Sequence, residues 1–182
     1  MRLFIGIDLP SGVKQAILEL QVELRRLGAH GYWKSQENFH ITLEFLGELD
    51  PQRVSALEAT LAKAAQNHRP FPLTVAGLGA FPSMRRPHTL WTAVRGNLIE
   101  LNRLKNEIHA DLVQRGFSVE DRTFRPHITL ASRPQVDGIN LSGMLSKTLG
   151  EFTVNDVVLF ESKVIQGKRR YIDLFRAKFD AL

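Results

Sequence analysis

Apolar positions change their period several times along the chain, and each change marks an element. Arg2 to Asp8 is apolar at most positions and stops before Pro10, which predicts a buried strand entering a turn. Pro10 and Ser11 then introduce a helix. Its stripe of Val13, Ile17, Leu20, Leu24 and Leu27 closes at Gly28. Tyr32 to Lys34 reads as a short strand or connection, and Phe39 to Leu46 as a longer strand. Asp50 before Pro51 is a cap with proline at the first helical position. A second helix therefore runs to about Asn67 on Val54, Leu57, Leu61 and Ala65.

Strands near Phe71 to Leu78 and Thr89 to Val94 flank a loop rich in Gly, Pro and Arg. Asn97 caps a third helix with Leu98, Leu101, Leu104, Ile108 and Leu112 inward and Gly116 as its stop. Further strands lie near Thr123 to Ala131, Phe152 to Phe160 and Tyr171 to Phe179, while Gln135 to Leu149 reads as a loop plus a short helix. This order predicts an α+β fold with largely antiparallel sheets rather than a doubly wound parallel sheet. No stretch reads as a linker, so residues 1–182 are expected to form a single domain.

Hydrophobic residues make up 43% of the chain and charged residues 24%, the balance of a globular protein. No apolar run is long enough to cross a bilayer and no signal-like segment opens the chain, so no membrane association and a cytoplasmic location are expected. The absence of cysteine excludes disulfides, a thiol nucleophile and cysteine-ligated zinc. The net charge of +5 attracts polyanions, but many proteins that never touch nucleic acid are basic, so its distribution matters more. Basic residues gather at Arg85-Arg86, at Arg122 and Arg125, and at Lys168-Arg169-Arg170, where solvated loop tips are the default. Nothing signals an oligomer, and a monomer is expected.

The candidate chemistry lies in an internal repeat. Phe39-His40-Ile41-Thr42-Leu43 recurs as Pro126-His127-Ile128-Thr129-Leu130, nearly half the chain later. On a strand His40 and Thr42 share one face while Ile41 and Leu43 enter the other, and the second copy repeats this. A lone histidine on an apolar strand is ordinarily a packed structural residue. Core packing has no need to place the same imidazole and hydroxyl pair twice. Two lobes related by a pseudo-twofold would bring the pairs together across a groove. Opposed imidazoles suit the opening of a phosphodiester by water, which needs a base for the nucleophile and an acid for the leaving oxygen. The hydroxyls of Thr42 and Thr129 can donate to the phosphate oxygens. Zinc is the rival chemistry, but no third ligand stands nearby at ligand spacing, and threonine is a poor ligand.

These tetrads resemble the paired His-x-Thr/Ser-x motifs of the two-histidine (2H) phosphoesterase superfamily. The flanks are similar to its RNA 2′,3′-cyclic phosphodiesterase branch, whose members were first called 2′-5′ RNA ligases. The likeness runs through Arg2 to Pro10, Glu37 to Glu48, Phe124 to Leu130 and Tyr171. It implies a bilobal α+β fold of two interleaved lobes, with mainly antiparallel sheets and outer helices around a central groove. It also implies no cofactor and no metal, and hydrolysis of RNA 2′,3′-cyclic phosphate ends, or of cyclic nucleotides, to 2′-phosphomonoesters. By position His40 is the implied proton donor and His127 the implied proton acceptor.

Phe4 and Tyr171 are candidate substrate contacts, Phe4 because it faces away from Leu3, Ile5 and Ile7 and can stack on a base. The family often carries an arginine five positions after the second motif histidine, where this chain has Ser132 followed by Arg133. A one-residue shift reverses direction on an ideal strand, so Arg133 is a phosphate-contact candidate only where the strand ends or bulges. The alternatives are 2′-5′ RNA ligation by the same site run in reverse, a non-catalytic RNA-binding module and a metal-dependent hydrolase.

Overall fold

The computed structural model describes residues 1–180, so the last two positions of the expected domain lie outside the described residues. Among the described residues nine strands form two antiparallel sheets. The first, in the order β3-β1-β8-β9, comprises β1 (Arg2–Asp8), β3 (His40–Glu48), β8 (Asp156–Ile165) and β9 (Lys168–Lys178). The second runs β2-β6-β5-β4-β7, with β2 (His30–Trp33), β4 (Phe71–Ser83), β5 (Arg86–Gly96), β6 (His127–Gln135) and β7 (Thr148–Val154). Three helices complete the fold: α1 (Ser11–Arg26), α2 (Val54–Gln66) and α3 (Leu98–Gln114). The expected α+β class with antiparallel sheets is what forms, and among the described residues no helix is long and apolar enough to cross a membrane.

The order β3-β1-β8-β9 has a counterpart in β6-β5-β4-β7, with β2 added at the edge. β3 lies antiparallel beside β1, and β6 lies antiparallel beside β5. A long helix follows β1 and another follows β5. Each helix crosses over: α1 leaves the first sheet and packs on β7 of the second, while α3 leaves the second and packs on β3 and α2. Leu3, Ile5 and Ile7 of β1, Ile41 and Leu43 of β3, and Ile128 and Leu130 of β6 are buried in the core that the crossing creates.

Several boundaries differ from the sequence reading, each for a local reason. The stretch expected as one strand from Phe152 to Phe160 breaks at Asn155, where the chain leaves β7 in one sheet and enters β8 in the other. Asn155 makes the crossing by accepting from Phe179 N at 2.8 Å and donating through its side chain to Thr153 O. The expected Gly/Pro/Arg loop is mostly ladder, since β4 and β5 pair as far as Ser83 opposite Arg86. Asp50 caps a single 3₁₀ turn, Pro51–Arg53, that feeds α2. Leu27 falls beyond the end of α1 and is 46% exposed, not inward.

Close packing between β1 and β3 sets the position of the first tetrad. A Cβ on Gly6 would stand 2.5 Å from the carbonyl oxygen of Ile41, so only glycine lets the two strands approach. Gly12, in the first turn of α1, has open space around it. Gly6→Ala is expected to lower unfolding free energy by roughly 1–3 kcal/mol in denaturant titration. Gly12→Ala is expected to hold or gain up to about 1 kcal/mol, and a Gly6→Ala chain as stable as wild type would refute the close approach.

Candidate active site

Each tetrad carries a β-bulge at its leucine. In β3, Thr42 lies opposite Gly6 and Glu44 opposite Ile5, leaving Leu43 as the extra residue. In β6, Thr129 lies opposite Trp91 and Ala131 opposite Leu90, leaving Leu130 extra. A bulge reverses the alternation of every residue after it. Glu44 and Ala131 therefore turn into the protein, and Phe45 and Ser132 return to the face of the tetrad histidine and threonine.

The inward residues and the bulge carbonyls are where the crossed helices attach. Glu44 is buried against α3, within 2.9 Å of Lys105 Nζ and 2.6 Å of His109 Nδ1. On the other side the buried Gln21 of α1 donates through Nε2 to Leu130 O at 3.0 Å, and Lys34 N donates to the same carbonyl at 2.8 Å. Each tetrad strand is thus braced by the helix that began in the other sheet.

The two imidazoles are oriented alike. His40 donates from Nδ1 to the carbonyl of Asn38 at 2.8 Å, and His127 donates from Nδ1 to the carbonyl of Arg125 at 2.6 Å. Each ring therefore spends its Nδ1–H on the backbone two residues upstream and keeps Nε2 for chemistry. The neutral Nε2 of His40 accepts from the Thr42 hydroxyl at 2.7 Å. Aromatic rings hold both imidazoles in place. Phe4 lies 4.7 Å from His40 with Phe160 behind it, and Tyr171 meets His40 edge-on at 5.0 Å. Phe81 meets His127 edge-on at 4.8 Å, beside Trp91.

Two adjoining cavities, of about 300 and about 330 Å³, share Thr42 and Phe45. The first is lined by His40, Thr42, Thr129, Phe4 and Tyr171, and the second by His127. The structure thus brings together His40, Thr42, Thr129, Phe4, Tyr171 and His127 along one groove. Phe4 contributes to the floor, but at 3% exposure it backs His40 rather than offering an open face to a base. Arg133 is exposed, with φ at +47°, and is not part of either lining; Ser132 occupies the wall instead.

The wall also holds residues that sequence reasoning did not assign to the site, among them Lys34, Asn38 and Arg169. Asn38 links two parts of the site, because its carbonyl holds His40 while its side-chain Nδ2 donates to Arg169 O at 2.9 Å. Nothing in its sequence position marks that role. Lys168-Arg169-Arg170 was visible as a basic cluster, but only the hairpin of β8 and β9 brings Arg169 to the groove. Histidines without the motif have other duties. His109 bonds Glu44, and the buried His68 bonds Glu107 at 2.8 Å. Among the described residues no three His, Asp or Glu side chains gather as metal ligands.

Burial and neighbouring cations disfavour the charged imidazoles in the open groove. Burial is the largest cause at His40, joined by His127 and Lys34 and opposed by the Asn38 carbonyl and Asp8, and it holds the ring at about 4. His127 is also lowered, first by burial and then by Arg122, against the Arg125 carbonyl.

Known proteins are similar to this chain in sequence and fold. The LigT-like phosphoesterase model matches residues 7–91 and 96–171. An RNA 2′,3′-cyclic phosphodiesterase of Thermotoga maritima is 38% identical over 130 residues, 71% of this chain and 68% of that protein. One of Archaeoglobus fulgidus is 31% identical over 179 residues, 96% and 98% of the two chains. The apo crystal structure of E. coli LigT superposes with a TM-score of 0.81 at 25% identity, covering 98% of this chain and 96% of that one. A match that takes in both tetrads, on a fold shared almost end to end, makes this chain a member of the LigT-like phosphoesterase family.

Proposed function

We propose that the protein hydrolyses RNA 2′,3′-cyclic phosphate ends to 2′-phosphomonoesters by acid and base catalysis from its two motif histidines, in a cytoplasmic setting. The observation that carries the reading is the matched pair of Nδ1–H···O=C bonds, which frees one Nε2 on each of two imidazoles bordering a common groove. Relatives named RNA 2′,3′-cyclic phosphodiesterase supply the substrate class.

The residues divide the work as follows. His127 Nε2 takes a proton from water as the water oxygen bonds to phosphorus. The bond from phosphorus to O3′ breaks in line, and protonated His40 delivers its Nε2 proton to the leaving oxygen. His40 ends neutral and His127 ends protonated, and solvent resets both. Thr42 and Thr129 donate to the non-bridging oxygens as their charge grows. Thr42 is engaged with His40 Nε2 in the open groove, so a phosphate oxygen takes over a hydroxyl already aimed at the reacting nitrogen. The scheme needs no metal.

Purified protein given a nucleoside 2′,3′-cyclic phosphate in EDTA is expected to release the 2′-phosphate. His40→Ala and His127→Ala should each slow turnover by roughly 10²- to 10⁴-fold. Release of the 3′ isomer, or a requirement for added metal, would overturn the scheme.

The lowered imidazoles also set a pH profile. Catalysis requires His40 protonated and His127 neutral, and in the free enzyme both lose their protons below the ordinary histidine value of 6.5. The optimum of kcat/KM should therefore lie below pH 6.5, with the rate falling above it as His40 loses its proton. Bound phosphate is an anion and favours protonated His40, so the alkaline limb of kcat should sit at higher pH than that of kcat/KM. Coincident limbs would rule out that coupling.

A further inference from the structure

A phosphodiester brings a negative charge into the groove, and neither Ser132 nor Arg133 of β6 is placed to receive it: Ser132 on the wall is neutral, and Arg133 lies outside the lining. We propose that Lys34, with Arg169 beside it, is the cationic seat for the substrate phosphate in this protein. The proposal rests on the cyclic phosphodiesterase reading and assigns that site its phosphate-binding charge.

The first support is the placement of Lys34. Its N–H is fixed to Leu130 O at 2.8 Å and its carbonyl accepts from Gln21 Nε2 at 3.0 Å. The backbone of Lys34 is therefore locked to the bulge one residue beyond Thr129, and its side chain lines the cavity that holds His40, Thr42 and Thr129. With the backbone fixed in this way, only the rotamers of the Lys34 side chain remain to be ordered when it meets an anion.

The second support is electrostatic. Lys34 is half-buried, and among the described residues its ammonium has neither a carboxylate nor a hydrogen-bond acceptor. No aspartate or glutamate lines this cavity, although the protein pairs most of its other enclosed charges. Burial is the main cause that lowers Lys34 from the ordinary lysine value, and repulsion from Arg169 adds to it. Two like charges held near one another without a counterion form a site that an anion relieves.

Arg169 is the weaker partner of the two. Its guanidinium is exposed and already donates to Ser162 Oγ at 2.7 Å, while Asn38 holds its carbonyl. Arg2, also on the wall, stacks 5.3 Å from the centre of the Phe45 ring. Lys34 is the cation left with no other duty.

The test compares full-length wild type with Lys34→Ala, Lys34→Arg, and Lys34→Ala combined with Ser132→Arg. Calorimetry measures inorganic phosphate binding, and steady-state assays use 2′,3′-cyclic AMP in EDTA. Lys34→Ala should weaken phosphate binding about tenfold or more and raise KM similarly. Lys34→Arg should retain affinity, and the double variant should recover it by returning a cation from the β6 wall. Phosphate affinity unchanged in Lys34→Ala overturns the assignment. Affinity lost in Lys34→Ala and recovered in neither cationic variant makes Lys34 structural, which also overturns it. If wild type shows no turnover the cyclic phosphodiesterase reading falls, while the phosphate titration still decides whether Lys34 is an anion seat.

Discussion

The hydrogen bond from each histidine Nδ1 to the carbonyl two residues upstream is the interaction on which the site depends. It removes one nitrogen from chemistry and fixes the tautomer of the ring, so that Nε2 alone is available to exchange protons. The same bond sets ring direction, because a donor tied to its own strand cannot swing across the groove. Geometry at His40 is further held by Phe4, Phe160 and Tyr171, and at His127 by Phe81 and Trp91. Both rings are thus oriented by the protein's own contacts, and no ordering of the imidazoles has to accompany binding.

Fixed rings are useful only if the strands carrying them keep their relation to one another. That relation comes from the crossed helices. α3, which follows a strand of the second sheet, meets Glu44 of the first tetrad strand through Lys105 and His109. α1, which follows a strand of the first sheet, meets the Leu130 carbonyl through Gln21. Both attachments fall at a bulge directly after the tetrad threonine. The bulge therefore does two jobs: it exposes a group for the helix to hold, and it turns the second residue after it back to the groove. Separating the halves would leave Gln21 and Glu44 without their partners, so the two sheets hold the site together as one unit.

This division explains what the sequence revealed and what it concealed. His40, Thr42 and their copies were legible because strand alternation carries them to one face, and the α+β order was legible from helical stripes alternating with short apolar runs. Bulges are not legible in that way. Leu43 and Leu130 look like ordinary core positions, yet they decide that Glu44 enters the core and that Ser132 faces the groove. Phe4 was correctly separated from Leu3 and Ile5, but alternation cannot say that Phe160 and Tyr171 close over it. Lys34 and Asn38 belong to a connection whose pattern is weak, and their positions depend on partners far along the chain, Leu130 and Arg169. The crossing at Asn155 escaped notice because the residues on both sides are equally strand-forming.

The electrostatics of the groove follow from the same construction. Enclosing His40 among aromatic rings removes water from it, and Lys34 and His127 add positive potential, so the open groove resists its protonation. Those features oppose catalysis by an acid only while the groove is unfilled. A phosphate oxygen placed among Thr42, Thr129 and His40 reverses the sign of the local potential, and burial then strengthens the attraction just as it had strengthened the repulsion. In the proposed mechanism, protonation of His40 is thereby tied to the presence of an anion, and the proton is made available where a leaving oxygen is ready to receive it. A water-exposed histidine would hold its proton more readily, but it would couple less strongly to the substrate.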